Sequence, residues 1–230
     1  MENTKLTQAK TEEPPRSVVV WDVPTRLFHW LLVIFVLISF VTGNIGGNAM
    51  QYHQWSGCGV LALLLFRLIW GFTGSRESRF VNFVKGRAAV FRYATTLLSS
   101  NARTYLGHNP LGGWSIIAML CALLVQAGTG LFANDDIITE GPLFDWVSKA
   151  TSDWLTQIHK LNQKVIIGLV CIHVLAVIFY LLYKRENLVT PMITGAKRWN
   201  RAEPSPVTGS TWTAAAIAGL AALAVYLLVR

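Results

Sequence analysis

The sequence predicts an all-α membrane protein, in which a four-helix transmembrane bundle is followed by a fifth, C-terminal transmembrane helix. Of the 230 residues, 53% are apolar and only 14% are charged, a composition typical of membrane proteins. Five apolar stretches are long enough to cross a bilayer, for which a helix needs about 20 residues. The loops between them are too short to hold a soluble domain. The sequence shows no internal repeat.

The chain begins with a polar segment, residues 1–17, whose composition predicts a disordered cytoplasmic tail. The first apolar stretch follows at about residues 26–42, with Asp22 and Pro24 placed as the start of a helix requires. No small-residue cleavage site follows this stretch, so we expect a retained transmembrane helix and not a signal peptide. A short uncharged turn leads to the second stretch, about residues 52–72, which therefore runs in the opposite direction.

A basic segment, residues 71–113, separates the second and third stretches. It holds six basic residues against one acidic residue, and its apolar residues recur at roughly helical spacing. Two interpretations remain open: a helix on an anionic membrane leaflet, or an amphipathic helix packed on the protein. The apolar residues of this pattern are Phe80, Phe83, Val84, Phe91, Ala94 and Leu98.

The remaining predicted spans lie at about residues 114–133, 159–183 and 212–229. Loop 134–158 carries a net charge of −4, whereas loop 184–211 carries +3. Because cytoplasmic loops carry the excess of Lys and Arg, we expect a cytoplasmic N-terminus, an acidic loop on the outer side and a periplasmic C-terminus. The basic cytoplasmic loops then account for the net charge of +8, and nucleic-acid binding is not expected.

Four of the five histidines lie in predicted spans. The fourth span carries His159 and His173, fourteen residues apart, which separates them by ~21 Å along a helix and by ~40° around it. A single histidine on an apolar helix is more often a packed core residue, but ionisable residues in a membrane are costly and point to function. The predicted topology places His53 with His159 near the outer face, and His29 with His173 near the inner side.

Two histidines from different helices are the axial ligands of a six-coordinate b-type haem. We therefore predict two haem b groups, an outer one bound by His53 and His159 and an inner one bound by His29 and His173. Covalent haem attachment is not expected, because the three cysteines form no CxxCH motif. These cysteines are Cys58, Cys121 and Cys171.

Three further residues are candidates for contact with a haem. Gly43 lies fourteen residues after His29, at the outer level, where the absence of a side chain makes room for a macrocycle. Arg67 lies fourteen residues after His53, at the inner level, and either binds a haem propionate or snorkels to the cytoplasmic interface. His108 precedes the third span, and a hydrogen bond to a propionate or quinone and a turn-stabilising role both remain open for it.

The sequence resembles the bacterial cytochrome b561 family and the related b-type cytochrome subunits of nickel-iron hydrogenases. The resemblance covers roughly residues 17–200 and rests on several motifs together. These are Arg26-Leu27-Phe28-His29-Trp30, His53 with Leu65-Phe66-Arg67-Leu68-Ile69-Trp70-Gly71, Gly107-His108-Asn109-Pro110, Thr129-Gly130-Leu131-Phe132 with Asp135-Asp136, and the two histidines of the fourth span. The resemblance implies a multi-pass protein of the bacterial inner membrane, with a di-haem domain at residues 18–200 and a linker and additional helix at residues 201–230.

The resemblance also implies a function: a di-haem cytochrome that carries electrons across the membrane, between the quinone pool and a periplasmic redox partner. As an enzyme it is at most a quinone-linked oxidoreductase. An alternative is a membrane anchor and haem subunit of a hydrogenase-like or other periplasmic oxidoreductase complex. A histidine-based proton or metal transporter is disfavoured, because the predicted spans hold no acidic residue or broken helix. Asp135 and Asp136 either dock a basic partner or simply follow from topology.

Overall fold

The computed structural model describes residues 16–99, 104–199 and 209–230 and is dominated by five long helices. All five are long and apolar enough to cross a membrane, which confirms the predicted fold class. In chain order the elements are β1 (Arg16–Val19), α1 (Val23–Ile45), α2 (Met50–Thr73), α3 (Phe80–Phe83), α4 (Arg87–Thr96), α5 (Pro110–Gly130), α6 (Lys149–Leu182), α7 (Val189–Thr194), β2 (Ala196–Trp199) and α8 (Thr211–Leu228).

The helix α6 differs most from its predicted span, because it begins at Lys149 instead of residue 159. Its first turn is capped by Ser148, whose Oγ accepts a hydrogen bond from the Thr151 amide at 3.2 Å. At 34 residues the helix is ~51 Å long, whereas the hydrocarbon core of a bilayer is ~30 Å thick. The first turns of α6 therefore project beyond the apolar part of the bundle.

The bundle consists of two helical hairpins. Helix α1 packs against α2, and α5 packs against α6, while α2 also contacts α5 and α8. The apolar core lies around α2 and includes the fully buried Leu64 and Trp70. Helix α8 presents Ala214, Ala221 and Val225 to the bundle. The fifth helix therefore covers one side of α2.

One end of the bundle, here called the sheet end, carries the small sheet and the basic segment. Strand β1 pairs antiparallel with β2, so that Arg16 lies opposite Trp199. Residues 16 and 17 of the predicted tail thus lie in a strand, while residues 1–15 and the linker residues 200–208 are outside the described parts of the chain. In the basic segment, Tyr93 of α4 is buried against the protein, but Phe91 is 72% exposed. Some residues of this segment are therefore packed on the protein, and others are exposed.

The opposite end, here called the hairpin end, carries the turn between α1 and α2 and the acidic loop between α5 and α6. The acidic loop folds back on itself. The Gly141 amide donates to the Ala133 carbonyl at 2.7 Å, and Asn134 pairs with Glu140 in an isolated antiparallel β-bridge. The Gln54 side chain of α2 donates to the Glu140 carbonyl at 2.7 Å. The loop is therefore tied to both helical hairpins.

Candidate functional site

His53 and His159 meet at the hairpin end, between the two helical hairpins. Their ring centroids are 6.0 Å apart and their planes are inclined by 79°. Two metal–nitrogen bonds of about 2 Å each, together with half of each imidazole ring, span about the same distance. The two rings are therefore spaced as the axial ligands of one iron require.

Hydrogen bonds to the backbone fix the tautomer of both neutral rings. The Nδ1 atom of His53 lies 2.8 Å from the Ser39 carbonyl, and Nδ1 of His159 lies 2.9 Å from the Gln126 carbonyl. A carbonyl oxygen only accepts, so Nδ1 carries the proton of each neutral ring and Nε2 is the nitrogen that can bind a metal. Outer hydrogen bonds of this kind orient histidines that bind metals.

A glycine of the neighbouring helix makes room for each of these rings. A Cβ atom on Gly43 would lie 2.7 Å from Nδ1 of His53, and one on Gly130 would lie 2.9 Å from Cε1 of His159. Gly43 was predicted to make room for a macrocycle, but its close contact is with the histidine ring. Gly130 was not predicted as a site residue, although it belongs to the Thr129-Gly130-Leu131-Phe132 motif.

The two hairpins repeat the same arrangement around this site, although the sequence shows no repeat. The carbonyl that accepts from each histidine lies four residues before the close glycine: Ser39 before Gly43, and Gln126 before Gly130. Three residues after each histidine, a polar side chain bonds to that same residue across the hairpin. These pairs are Ser56 with Ser39 at 2.7 Å and Asn162 with Gln126 at 2.8 Å.

A cavity of about 370 Å³ opens between the hairpins beside the two rings. His53, His159, Gly43 and Gly130 all line it, and most of the remaining lining residues are apolar. The acidic loop closes the cavity at the hairpin end through Asn134, Thr139 and their neighbours. Two imidazole lone pairs beside an apolar cavity fit a bis-histidine haem.

At the sheet end, His29 and His173 lie close enough to interact electrostatically. His108 interacts electrostatically with both of them and with Arg67. Its ring centroid lies 4.5 Å from that of Trp21 and 5.0 Å from that of Phe83. Burial, reinforced by the charge of Arg67, lowers the pKa of His108 to about 3, so its imidazole is neutral at physiological pH.

Arg67 is buried in the bundle and does not snorkel, since only 4% of its surface is exposed. Its Nη2 donates to the Ser78 carbonyl at 3.1 Å. Its guanidinium carbon lies 4.8 Å from the centre of the Phe80 ring and about 6 Å from those of two further phenylalanines, Phe28 and Phe83. The aromatic contacts and the hydrogen bond fix the cation in one place.

Several buried nitrogen atoms at the sheet end have no hydrogen-bond partner among the described residues. They include Nδ1 of His29, Nη1 of Arg67 and Nδ1 of His108. Buried polar groups in native proteins are almost always paired, so such atoms indicate a missing ligand. Together with the His29 and His173 rings, these atoms would hold a haem at the sheet end.

The two aspartates of the acidic loop have partners within the loop. Oδ1 of Asp135 accepts hydrogen bonds from the amides of residues 139, 137 and 138 at 2.8, 2.9 and 3.0 Å. The bonds from Thr139 and Ile137 are the main reason that the pKa of Asp135 falls to about 2. Asp136 forms an ion pair with Lys149 at 2.5 Å. Both carboxylates thus hold the loop together.

Residues 20–195 match the family model described as prokaryotic cytochrome b561. The chain belongs to this family. It is therefore a membrane b-type cytochrome, and the family implies haem b and electron transfer. No solved structure matches this cytochrome at a significant level.

Three curated relatives of this cytochrome carry the name "Probable Ni/Fe-hydrogenase B-type cytochrome subunit". The protein from Rhizobium leguminosarum bv. viciae is 28% identical over 219 residues, which cover 79% of this chain and 89% of the relative. The protein from Bradyrhizobium diazoefficiens is 22% identical, with 80% and 87% covered. The protein from Rhodobacter capsulatus is 24% identical, with 78% and 80% covered.

Proposed function

We propose that this cytochrome binds two haem b groups and carries electrons across the bacterial inner membrane, between the quinone pool and a periplasmic redox partner. The observation that supports it most is the His53–His159 pair, whose rings are 6.0 Å apart. The two rings come from different hairpins, and Nδ1 of each ring donates to a backbone carbonyl. Bound haem b supplies a one-electron couple at each site.

The second haem is assigned to His29 and His173 at the sheet end. Fourteen residues separate His159 from His173 on the continuous helix α6, which places the two sites ~21 Å apart along the axis. The histidines hold the irons, and the helices between them exclude water. Two sites at two depths of one bundle are what electron transfer across a membrane requires.

Charge supports an orientation with the sheet end in the cytoplasm and the hairpin end in the periplasm. Loops 71–113 and 184–211 are basic and their described residues lie at the sheet end, whereas the loop at the hairpin end is acidic. With five spans, the C-terminus then lies in the periplasm. The hairpin end thus faces the periplasmic partner.

A second candidate function is that of a membrane anchor and haem subunit in a hydrogenase-like or other periplasmic oxidoreductase complex. The names of the relatives favour it, since they are described as hydrogenase subunits. Purification of the tagged protein from its native membrane, followed by identification of co-purifying subunits, distinguishes the two. A stable stoichiometric oxidoreductase partner supports the complex, and a haem protein isolated alone supports the free carrier.

Replacement of single histidines tests the haem assignment. His53→Gln and His159→Gln should each remove the same haem, while His29→Gln and His173→Gln remove the other, as measured by haem content and reduced-minus-oxidised spectra. Cys121→Ser on the exposed face of α5 is the control, because Cys121 lies outside both pairs, and it should retain both haems. Absence of b-type bands from the purified wild type contradicts the proposal, and a His53 variant that behaves like a His173 variant contradicts the pairing.

A further inference from the structure

We propose that Arg67 and His108 together bind a carboxylate, a propionate of the haem held by His29 and His173, through Nη1 of Arg67 and Nδ1 of His108. The inference rests on the proposed function, because it assigns a second role at the same haem. It gives a function to His108, which sequence spacing leaves unexplained.

Both donor atoms are buried, and neither has a hydrogen-bond partner among the residues that the structure describes. A buried donor without a partner costs about 1 to 3 kcal/mol, and more if the group is charged. Another donor of Arg67, Nη2, is already directed to the Ser78 carbonyl. One ligand that accepts from both free donors removes both penalties.

The two side chains lie beside the same phenylalanine ring. The Phe83 ring lies 5.0 Å from the His108 ring and 5.9 Å from the guanidinium carbon of Arg67. His108 also interacts electrostatically with His29 and His173. A group held by both donors is therefore next to the proposed ligands of one haem.

The turn that carries His108 is fixed from two directions. Oδ1 of Asn109 accepts from the Gly112 amide at 2.8 Å and so caps α5, while Nδ2 of Asn109 donates to the Tyr180 hydroxyl of α6 at 2.8 Å. From the sheet, Nζ of Lys197 donates to the Tyr105 carbonyl at 2.8 Å. His108 thus occupies a fixed position, as a ligand-binding group needs.

The two free donors indicate that the ligand is a carboxylate. Asp22 lies near enough to Arg67 to offset part of its charge, but its oxygens accept from the Thr25 amide at 2.7 Å and from Nε1 of Trp70 at 3.2 Å. Nη1 of Arg67 and Nδ1 of His108 are therefore left for another acceptor. A carboxylate offers one oxygen to each donor, and hydrogen bonds between a guanidinium and a carboxylate are among the strong ones.

The test compares His108→Leu, which removes the donor, with His108→Asn, whose side-chain amide replaces Nδ1–H. Phe83→Leu is the packing control, because Phe83 touches both side chains but donates no hydrogen bond. The measurements on purified holoprotein are the midpoint potentials of both haems and the infrared difference spectrum with haem labelled by ¹³C in its propionates. His108→Leu should lower the potential of one haem only and shift the labelled carboxylate band of that haem. His108→Asn should largely restore the potential and the band position. Arg67→Gln should affect the same haem as His108→Leu does, and Phe83→Leu should leave the labelled band in place.

Each failure points to a different error. A wild-type protein with fewer than two haems overturns the proposed function itself. Two haems with unchanged potentials and an unchanged labelled band in His108→Leu overturn this inference alone. A shift of unlabelled quinone carbonyl bands in place of the labelled band also overturns it, because the donors then serve a quinone. If His108→Leu loses the haem, His108→Asn shows the cause. Loss of the haem in His108→Asn as well means that haem binding depends on the structure of the turn and not on the hydrogen-bond donor, which overturns the inference.

Discussion

Arg67 brings a guanidinium into a part of the bundle where only 4% of its surface is exposed. Removing an ion from water costs several kcal/mol unless other groups replace the water. Here three phenylalanine rings and the Ser78 carbonyl replace part of the lost hydration, and Asp22 provides a nearby negative charge. The cation is therefore held in place and can act on a neighbouring redox group.

Arg67→Leu should lower the midpoint potential of the sheet-end haem. A nearby positive charge disfavours the oxidised haem, whose iron carries one more positive charge than the reduced form. A charge-assisted contact of roughly 1 to 3 kcal/mol corresponds to roughly 40 to 130 mV for one electron. Redox titration followed in the b-type bands measures both haems, and the hairpin-end haem should barely respond.

Arg87→Leu is the matched control, because it removes the same charge from the exposed start of α4, where solvent and salt screen it. Equal shifts in both variants, or a shift confined to the hairpin-end haem, would contradict the assigned position of Arg67.

Asp135 organises the acidic loop through its three backbone hydrogen bonds. Asp135→Ala should loosen residues 133–141, seen as faster amide hydrogen exchange and faster reaction of the hairpin-end haem with small oxidants. Asp135→Asn keeps an accepting Oδ1 and should retain most of the protection. Equal exchange in all three proteins would show that the carboxylate does not organise the loop.

The pKa of Asp135 is lowered from 3.8 to about 2, and this sets the pH dependence of the loop. The stabilisation is complete above the ordinary pKa and is lost as the pH falls towards 2. Loop protection in the wild type should therefore be constant from about pH 5 to pH 8.

At the scale of the elements, close contact between helices depends on two glycines. Gly43→Ala and Gly130→Ala should each displace a histidine ring, because the added Cβ would lie within 3 Å of it. The hairpin-end haem should be weakened or lost in both variants, while the sheet-end haem is retained. Haem content and reduced-minus-oxidised spectra measure this.

Gly128→Ala is the control on the same helix as Gly130, since a Cβ there has no described atom within 4 Å. It should keep both haems and gain about 1 kcal/mol of helix stability. If Gly130→Ala kept its haem as Gly128→Ala does, close packing against His159 would not be needed for haem binding.

The apolar periodicity of the sequence predicts the five long helices well, because hydrophobic length is the dominant signal in a membrane. The early start of α6 at Lys149 escapes this signal, since its first turns are polar and lie outside the apolar region. The position of His108 near His29 and His173 also escapes it, because the fold of the loop before α5 brings His108 there. The repeated arrangement is hidden because Ser39 and Ser56 correspond to Gln126 and Asn162, which keep the geometry but not the residue types.

At the scale of the whole molecule, the acidic hairpin end remains the candidate surface for a redox partner. Asp135 and Asp136 bond within the loop, so the exposed side chains of Glu140 and Asp145 are better placed to attract a basic partner. A double substitution, Glu140→Gln with Asp145→Asn, should slow association at low salt and flatten its salt dependence.

The bond from Gln54 to the Glu140 backbone should survive this double substitution, so the loop keeps its shape. Stopped-flow reoxidation of the hairpin-end haem by the native partner, at several ionic strengths, measures the effect. An unchanged rate and salt slope would show that the acidic loop only follows from topology.

The pairing of β1 with β2 has a consequence for biogenesis. Arg16–Val19 leaves the ribosome before its partner Ala196–Trp199, which follows only after four transmembrane helices have been made. The sheet end therefore cannot close until α6 has been inserted and the chain has returned to the same side. During this interval His29 and Arg67 are in place without His173, and the region around them stays open on that side until the strands pair.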